Sequence, residues 1–277
     1  MSATLDRLAV QHPEMGTAVT ALRAILGALR ECEVTLPDDV PSHAAARARL
    51  HGGIPALMGE ALLTGDTLLS HAELIASRLA EIGLFDSTNV LATMRRSRRA
   101  MDGEALAAMS LTGSWDLLST EGARLGVESD TLLALFDYAA RPALRAGAQS
   151  LGTVLEEMHW GRGICPACGA PPLLAELLPE NERRDEAPLA LRCGRCAASW
   201  GVERLRCPHC GERDHRKLGY IHVDGEQEFR RVERCDSCHG YVKALAVLRS
   251  LDADVLLEED LATSGLDLIA VERGYHR

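Results

Sequence analysis

The sequence predicts an α+β protein, in which an amino-terminal helical domain precedes two tandem four-cysteine modules of rubredoxin-like or zinc-ribbon type and carboxyl-terminal helices. Two observations support this fold class. Cysteine is concentrated in one part of the chain, because eight of the nine cysteines lie between Cys165 and Cys238 and only Cys32 precedes them. Before Cys165, apolar residues recur at helical spacing, and aromatic residues make up only 4% of the chain, so aliphatic side chains must form the core.

Composition and charge narrow the class of protein. The 277 residues are 47% hydrophobic and 25% charged, which is typical of a globular chain with enough apolar material for a core. A formal net charge of −10 argues against a general polyanion binder. No apolar run approaches the roughly 20 residues of a membrane-spanning helix, and residues 1–12 lack the features of a secretory signal. We therefore expect a cytoplasmic protein without membrane insertion, in which paired cysteines bind metal rather than form disulfides.

The first part of the chain is predicted to form a bundle of helices joined by short connections that contain Gly and Pro. Ser42 and Asp66 are the predicted amino-terminal caps of two of these helices. Pro142 is expected to kink or divide the last one. Helical patterns cover residues 19–29, 42–63 with a break at 52–55, 66–83, 87–100, 103–111, 115–125 and 130–160.

After residues 161–163 the pattern changes to short segments between cysteine pairs. A β-hairpin is predicted from strands at 220–223 and 226–232 with a tight turn at Asp224-Gly225. Beyond Tyr241 the apolar residues suggest a return to helix, and the acidic residues 258–260 are expected to be the solvated start of a last helix over 261–271. The predicted division is a helical domain (1–162), a first module (163–206), a second module (207–248) and a carboxyl-terminal helical segment (249–277).

The four-cysteine pattern is duplicated. Each cysteine pair has the form Cys-x-x-Cys, and the spacing between the two pairs is the same in both copies. Adding 42 to the positions of the first copy yields those of the second, and the neighbouring sequence Cys-Pro-x-Cys-Gly is also repeated. The duplication predicts that the cysteines of each copy together form one site. The two predicted sets are Cys165, Cys168, Cys193 and Cys196, and Cys207, Cys210, Cys235 and Cys238.

This spacing has a chemical reason. Two thiolates separated by two residues can bind one ion from a tight turn, and two such turns complete a tetrahedral site of four sulfur atoms. Gly169 and Gly211 allow the backbone to bend after the first turn of each copy. A site closed by four sulfurs leaves no position for water, which disfavours a zinc hydrolase. Zinc and a single iron ion both suit such a site, and the spacing does not choose between them.

Five other residues or segments have a structural and a functional interpretation. Cys32 is expected to be a small buried side chain rather than a ligand. His209 and His239 lie in or beside the cysteine turns, but each site already has four thiolates, so we expect both at the surface. The basic run 95–99 is expected to be a solvated helix face rather than a nucleic-acid patch. Trp200 is expected to pack at the junction of the two repeats.

Three classes of function suit a protein with two such sites. Many zinc ribbons bind nucleic acid, but residues 165–248 contain thirteen acidic and thirteen basic side chains, and four thiolates on a divalent ion add further negative charge, so we expect no nucleic-acid partner. Electron transfer, as in rubredoxin, is the second class. A metal-stabilised adaptor or maturation factor is the third. No Ser-His-Asp set, phosphate loop or paired-carboxylate motif stands out, which favours binding over catalysis and predicts that the protein is not an enzyme.

The cysteine turns and their surroundings resemble one known family. The similar segments include Cys-Pro-Ala-Cys-Gly at 165–169, Leu-Arg-Cys-Gly-Arg-Cys-Ala-Ala-Ser-Trp at 191–200 and Tyr-Val-Lys at 241–243. The likeness extends through residues 260–262, 266–267 and 274–275 and covers about the last 110 residues. These segments resemble the formate dehydrogenase accessory protein FdhE family.

The resemblance implies a cytoplasmic maturation factor, or chaperone, that is required for active respiratory formate dehydrogenase. Such a protein would bind the catalytic subunit before export by the twin-arginine route. It would hold iron rather than zinc, one ion in each of the two sites, and all eight cysteine positions are filled here. His239 departs from the family, in which Gly is common at this position. A rubredoxin-like electron-transfer protein is the alternative.

Overall fold

The chain forms two compact units in the computed structural model, which describes residues 2–38, 40–84, 87–98, 101–114, 120, 124, 128–178, 189–203, 205–222 and 229–277. The first unit contains residues 1–46 and 56–151, and the second contains residues 47–55 and 152–277. The predicted α+β class is confirmed, because helices precede a sheet that carries both four-cysteine groups and two helices follow it. The proposed four-part division of the chain remains a prediction.

Eight α-helices are described before the sheet, with a 3₁₀ turn at Pro13–Met15. The predicted helix at 115–125 lies outside the described residues, apart from positions 120 and 124. Among the described residues, no helix is both long and apolar enough to cross a bilayer. The helices are α1 (Ala3–Gln11), α2 (Gly16–Glu31), α3 (His43–His51), α4 (Gly65–Glu81), α5 (Ser87–Ser97), α6 (Gly103–Thr112), α7 (Ser129–Ser150) and α8 (Gly152–Glu157).

Of the two predicted helix caps, the one at Ser42 is confirmed and the one at Asp66 is wrong. Ser42 Oγ accepts a hydrogen bond from the Ala45 amide at 3.3 Å, as predicted for α3. Thr64, rather than Asp66, caps α4, because Thr64 Oγ1 accepts from the Thr67 amide at 3.2 Å. Helix α7 passes through Pro142 without dividing and ends before Leu151. Its alanines at 139, 140 and 143 are fully buried, so packing offsets the hydrogen bond that proline removes.

Helix α4 lies at the centre of the first unit and contacts α2, α5, α6 and α7. The apolar face predicted for this helix is buried at Leu68, Leu69, Ala72, Ile75 and Ala76. Gly65 and Gly103, at the starts of α4 and α6, touch so closely that a Cβ atom on Gly65 would lie 2.1 Å from the Gly103 carbonyl carbon. The two helices therefore meet at glycines because no larger residue fits there.

The second unit is built on a six-stranded sheet with the strand order β3-β2-β1-β6-β5-β4. Each repeat contributes three consecutive antiparallel strands. Strands β1 and β6 pair in parallel, with Ala175 opposite Ala244, and join the two repeats into one sheet. The strands are β1 (Pro172–Leu177), β2 (Leu189–Cys193), β3 (Ser199–Val202), β4 (Leu218–Ile221), β5 (Arg230–Cys235) and β6 (Tyr241–Ala246).

Two expectations for the second repeat differ from the structure. The helix predicted after Tyr241 is wrong, since this segment is strand β6, and its residues from Tyr241 to Leu245 are all buried. A strand in the middle of a sheet is covered on both faces, so its residues are buried without alternation, and here they include Lys243 among apolar neighbours. Strands β4 and β5 form the predicted antiparallel pair, but with Ile221 opposite Val232, whereas a two-residue turn at 224–225 would align Ile221 with Glu228. The turn itself lies outside the described residues.

Two helices, α9 (Ala253–Ala262) and α10 (Ser264–Glu272), follow the sheet. The acidic residues 258–260 lie near the end of α9 rather than at the solvated start of a helix, and Glu258 is only 5% exposed. They differ from the prediction because the helix packs its acidic residues inward, where Asp260 meets a buried cation. That cation is Lys243 of β6, which is 0% exposed.

Lys243 is neutralised by two carboxylates from the helices. Its Nζ lies 2.7 Å from Asp260 Oδ1 and 2.7 Å from Asp267 Oδ2, and it donates to the Asp260 carbonyl at 2.8 Å. The Tyr241 hydroxyl donates to Asp267 Oδ1 at 2.8 Å. Burial acts to raise the pKa of Asp260, but the charges of Lys243 and Arg277 lower it, so the pKa lies below its ordinary value. These contacts fasten α9 and α10 to the sheet.

The substitution Asp267→Asn removes one of the two carboxylates that neutralise Lys243. Because a buried cation then loses a partner, we expect the free energy of unfolding to fall by about 3 kcal/mol. Urea denaturation of the metal-loaded protein measures this change. Glu272→Gln removes the same charge at an exposed position of α10 and should change stability by less than about 0.5 kcal/mol. Equal effects of the two substitutions would contradict the role of Asp267.

Candidate metal centre

Each cysteine pair lies in a tight turn that is closed by the same backbone contact. The amide of the first cysteine donates to the carbonyl five residues later: Cys165 to Ala170 at 2.8 Å, Cys193 to Ala198 at 3.0 Å, Cys207 to Glu212 at 2.9 Å, and Cys235 to Gly240 at 3.0 Å. In the first three turns the carbonyl of the first cysteine also accepts from the amide four residues on. The duplicated sequence therefore folds into duplicated turns.

The residue after the second cysteine of each turn has a left-handed backbone conformation. Its φ is +81° at Gly169 and +79° at Gly211, but also +61° at Ala197 and +56° at His239. Apart from glycines, Leu205 is the one further described residue with a positive φ. Glycine takes this conformation without strain, whereas a side chain costs about 1 kcal/mol or more. His239, which stands where Gly is common in the resembling family, is therefore a strained residue.

The folded chain brings together the four sulfur atoms of each repeat. In the first group, here called the first cage, Cys165 Sγ lies 3.4 Å from Cys196 Sγ and Cys168 Sγ lies 3.5 Å from Cys193 Sγ. In the second cage, the pairs Cys207–Cys238 and Cys210–Cys235 are both separated by 3.7 Å. All ligand atoms within a cage lie within 4.8 Å of one another.

These distances fit a tetrahedral metal ion. Four sulfurs at about 2.3 Å from a central ion are separated by about 3.8 Å, which is close to the distances in both cages. Each group of four could therefore hold one metal ion. No other group of three or more candidate ligands converges among the described residues. The identity of the ion, and the binding of metal by these eight cysteines, remain predictions.

The thiol groups of the first cage influence one another. Burial raises the pKa of Cys165, while hydrogen bonds from Cys165, Cys168 and Cys196 lower the pKa of Cys193. Thiols that bind a metal ion must lose their protons, so metal affinity should decrease as the pH falls.

The two cages differ in exposure. All four cysteines of the first cage are buried. In the second cage Cys207 and Cys235 are buried, Cys238 is half-buried and Cys210 is exposed. Glu212 links the two turns of this cage, because its Oε2 accepts from the Ser237 hydroxyl at 2.6 Å and its Oε1 from the amides of Arg213 and Asp214 at 2.9 Å. The Ser237 bond and these amide bonds lower the pKa of Glu212 to about 2.

The other residues considered from the sequence lie outside the cages. Cys32 is half-buried at the end of α2, and burial together with Glu31 raises its pKa to about 11. The His209 and His239 side chains are exposed, although His209 Nε2 lies 3.1 Å from the Tyr241 carbonyl oxygen. Trp200 is buried in β3 and its indole N–H donates to the Arg162 carbonyl at 2.9 Å.

The basic run 95–99 is only partly the solvated face that was expected. Arg95 and Arg96 are exposed on α5, but Arg98 forms ion pairs with Asp66 at 2.5 Å and with Glu73 at 2.7 Å. Arg99 lies outside the described residues. The guanidinium of Arg98 therefore ties the end of α5 to α4 and is not part of a solvated face.

The residues that support the cages were not recognised from the sequence. Arg192 and Glu176 form a buried ion pair beside the first cage, and residues 275–277 contact the last turn of the second cage. Two of these residues, Arg192 and Tyr275, lie in segments that resemble the FdhE family, so the resemblance was a usable signal.

The resemblance also includes Lys243, Asp260 and Asp267, which are not candidate metal ligands. In the folded chain, Lys243 contacts both of these aspartates.

Comparison with known proteins agrees with the resemblance. Residues 205–277 match the model of the FdhE C-terminal domain. The whole chain aligns with a protein FdhE homolog from Stutzerimonas stutzeri at 29% identity and covers 85% of it. A Pseudomonas aeruginosa homolog is 32% identical over 67% of this chain, and the alignment spans 58% of that relative. The crystal structure of the FdhE protein from Pseudomonas aeruginosa superimposes with a TM-score of 0.66 at 26% identity, over 99% of this chain and 90% of that one.

The variants Cys165→Ser and Cys207→Ser should each lose one of two bound metal ions. The cages use separate sets of cysteines, so removal of one ligand opens one cage and leaves the other closed. Elemental analysis of the purified variants measures the stoichiometry, and Cys32→Ser should retain both ions. Loss of both ions from either cage variant would contradict two independent sites.

Ala197→Gly should stabilise the metal-loaded protein by about 1 kcal/mol. Glycine relieves the left-handed strain at φ +61°, and the alanine side chain that is lost contains only a methyl group. Thermal unfolding of the metal-loaded protein measures the change. Ala198→Gly, at the next position of the same turn, lacks this strain and should be neutral or destabilising. A lower Tm for Ala197→Gly would show that strain at Ala197 is not significant.

Proposed function

Because the chain belongs to the FdhE family, we propose that it is an accessory protein in the maturation of a respiratory formate dehydrogenase. In this proposal it acts in the cytoplasm as a chaperone that binds the catalytic subunit of the enzyme before export. It is not itself an enzyme, and it has no nucleic-acid partner. The proposal rests on the resemblance of the cysteine repeats and the carboxyl-terminal helices to this family, together with the chemistry of the two cages.

One observation supports the proposal that the protein is not an enzyme. Each cage is closed by four sulfur atoms, so an ion held there has no open position for a substrate or for water. Such an ion can stabilise the fold or change its charge, but it cannot act as a Lewis acid on a substrate. This chemistry suits a protein that recognises another protein through a surface held in shape by metal.

We further propose that the ions are iron, one in each cage. Soft thiolate ligands in a tetrahedral arrangement suit both iron and zinc, and the family resemblance favours iron. The ligands would be Cys165, Cys168, Cys193 and Cys196 in the first cage and Cys207, Cys210, Cys235 and Cys238 in the second.

A rubredoxin-like electron-transfer protein is the second candidate. It is favoured by the exposure of Cys210 in the second cage. A sulfur ligand in contact with solvent would give an electron a short route between the ion and a redox partner. This candidate requires reversible reduction of the ion by a partner protein, whereas the maturation proposal requires stable binding to formate dehydrogenase.

Anaerobically purified protein should contain about two iron ions per chain, as expected for two closed sulfur cages. In the ferric state it should absorb visible light because thiolates transfer charge to ferric iron. Elemental analysis and an absorption spectrum measure both properties. A colourless protein with two zinc ions would contradict the proposal of iron while leaving the cages intact.

Tagged catalytic subunit of a formate dehydrogenase should co-purify the metal-loaded protein in equal molar amounts. Disruption of both cages by Cys165→Ser and Cys207→Ser together should abolish co-purification. Without bound metal, the six-stranded sheet and its cysteine turns should lose their native shape. Cys32→Ser is the matched control and should still bind. No binding by the metal-loaded protein, combined with reversible reduction of its iron by a reductase, would favour electron transfer instead.

A further inference from the structure

The second turn of each cage is anchored at an equivalent carbonyl group, by different means. In the first cage the anchor is a side chain of the sheet: Arg192 donates to the Ala197 carbonyl at 3.2 Å. Arg192 also pairs with Glu176, and both side chains are buried. Glu176 in turn accepts hydrogen bonds from the Ser250 hydroxyl and the Leu251 amide, each at 2.8 Å. The first cage is therefore held by an ion pair enclosed in the protein.

In the second cage the equivalent carbonyl is held by residues 275–277, here called the strap. The His276 amide donates to the His239 carbonyl at 2.8 Å, and the Tyr241 amide donates to the His276 carbonyl at 2.9 Å. His276 Nε2 lies 3.1 Å from the Cys238 carbonyl oxygen. The strap thus contacts the backbone of the ligand residue Cys238, of His239 next to it, and of Tyr241 at the start of β6.

Side chains at both ends of the strap add to these backbone contacts. The Tyr275 hydroxyl donates to Asp236 Oδ1 at 2.6 Å. Arg277 lies 2.5 Å from Asp260 and 3.0 Å from Asp267, the two carboxylates that also neutralise Lys243. The strap therefore connects the turn of the second cage to α9 and α10.

The strap lies at the surface, unlike the buried anchor of the first cage. Tyr275 is half-buried, and His276 and Arg277 are exposed. The Tyr275 ring packs against the buried cluster that contains Ile221 and Val232, whereas the contacts of His276 and Arg277 are at the surface. A segment held mainly by solvent-exposed hydrogen bonds can open locally without global unfolding. The two sulfur ligands that are not fully buried, Cys210 and Cys238, are also in the second cage.

Backbone strain at His239 occurs where the strap meets the second cage. This residue adopts φ +56°, where glycine would be unstrained. Its ring lies 5.7 Å from the Tyr275 ring, between centroids, at an interplanar angle of 36°. Ala197, the equivalent residue of the first cage, bears no ring. Backbone strain that is retained at one residue often indicates a functional constraint, and here it places the His239 ring against the strap.

We propose that the strap is a conformational device that closes the second cage and controls the release of its metal ion. Local detachment of residues 275–277 frees the turn that holds Cys235 and Cys238, whereas the first cage stays locked by Arg192 and Glu176. The two ions of one chain are therefore unequal: the ion in the second cage exchanges and the ion in the first cage is retained. This inference rests on metal binding by the cages but not on the identity of the partner.

The experiment measures the release of zinc from the full-length, zinc-loaded protein to an excess of a chromogenic chelator. Wild-type protein should release two equivalents in two phases, and Cys210→Ser, which retains the first cage only, should identify the slow phase. Combined substitution of Tyr275→Ala and Arg277→Ala should accelerate the fast phase by about tenfold, since it removes a hydrogen bond to a carboxylate and an ion pair. The slow phase should not change.

Two further variants separate the strap from general destabilisation. Glu272→Ala with Arg273→Ala alters two exposed residues that precede the strap by two positions or more and should leave both phases as in wild type. Tyr275→Phe removes only the hydroxyl that meets Asp236, and should accelerate the fast phase by a few-fold. If the double substitution impairs folding, Tyr275→Phe alone tests the proposal. Acceleration of both phases, or of neither, would overturn the proposal.

A second measurement follows the cysteine thiols instead of the released ion. In the zinc-loaded protein, strap substitutions should increase the rate of alkylation of Cys235 and Cys238, followed by mass spectrometry of the peptides, without changing that of Cys193 and Cys196. Equal alkylation of both sets in wild type and variant would count against the strap. Wild-type protein that binds no zinc would refute metal binding by the cages, on which the proposal rests.

Discussion

The second unit depends on the convergence of four sulfur atoms from two turns that are far apart in sequence. Each turn directs its own two sulfurs to one side because its backbone is closed by a hydrogen bond from the first cysteine to the residue five positions on. The strands then bring the turns together: Cys193 lies opposite Pro172, and Cys235 lies opposite Leu218. A shift of one residue in either pairing would turn the cysteine to the opposite face of the sheet and open the cage.

Duplication of the sequence did not produce two equivalent sites. The repeats are joined by parallel pairing of β1 with β6, so the first strand of one repeat meets the last strand of the other. The neighbours of the two cages therefore differ. The first cage has a buried arginine and glutamate beside it, whereas the second is supported by Glu212 at one turn and by residues 275–277 at the other. Under the proposal above, equal ligands in unequal surroundings make one ion structural and the other accessible.

Buried charge has a structural role in this unit that is separate from the two sulfur cages. Lys243 is completely enclosed, and its cost of burial is offset by two carboxylates and a carbonyl oxygen from the following helices. Because these partners come from α9 and α10, the helices can occupy only one position on the sheet. The segments that mark the family outside the cysteine turns are largely the partners in this network. A closed sulfur cage and a helical surface fixed by charge together suit a protein that binds another protein.

The sequence alone determined the features that depend on local chemistry or on repetition. It predicted the fold class, most of the described helices of the first unit but not α1, and the grouping of the cysteines into two sets, because a Cys-x-x-Cys turn and a fixed repeat can be recognised without knowledge of distant contacts. It failed at β6, where a short, mostly apolar segment suits a central strand as well as a helix. Only the tertiary structure placed Lys243 against carbonyl and carboxylate groups 17 and 24 residues away, and residues 275–277 against the second cage. These pairings, and the difference in exposure between the cages, arise from the strand order, which local periodicity does not specify.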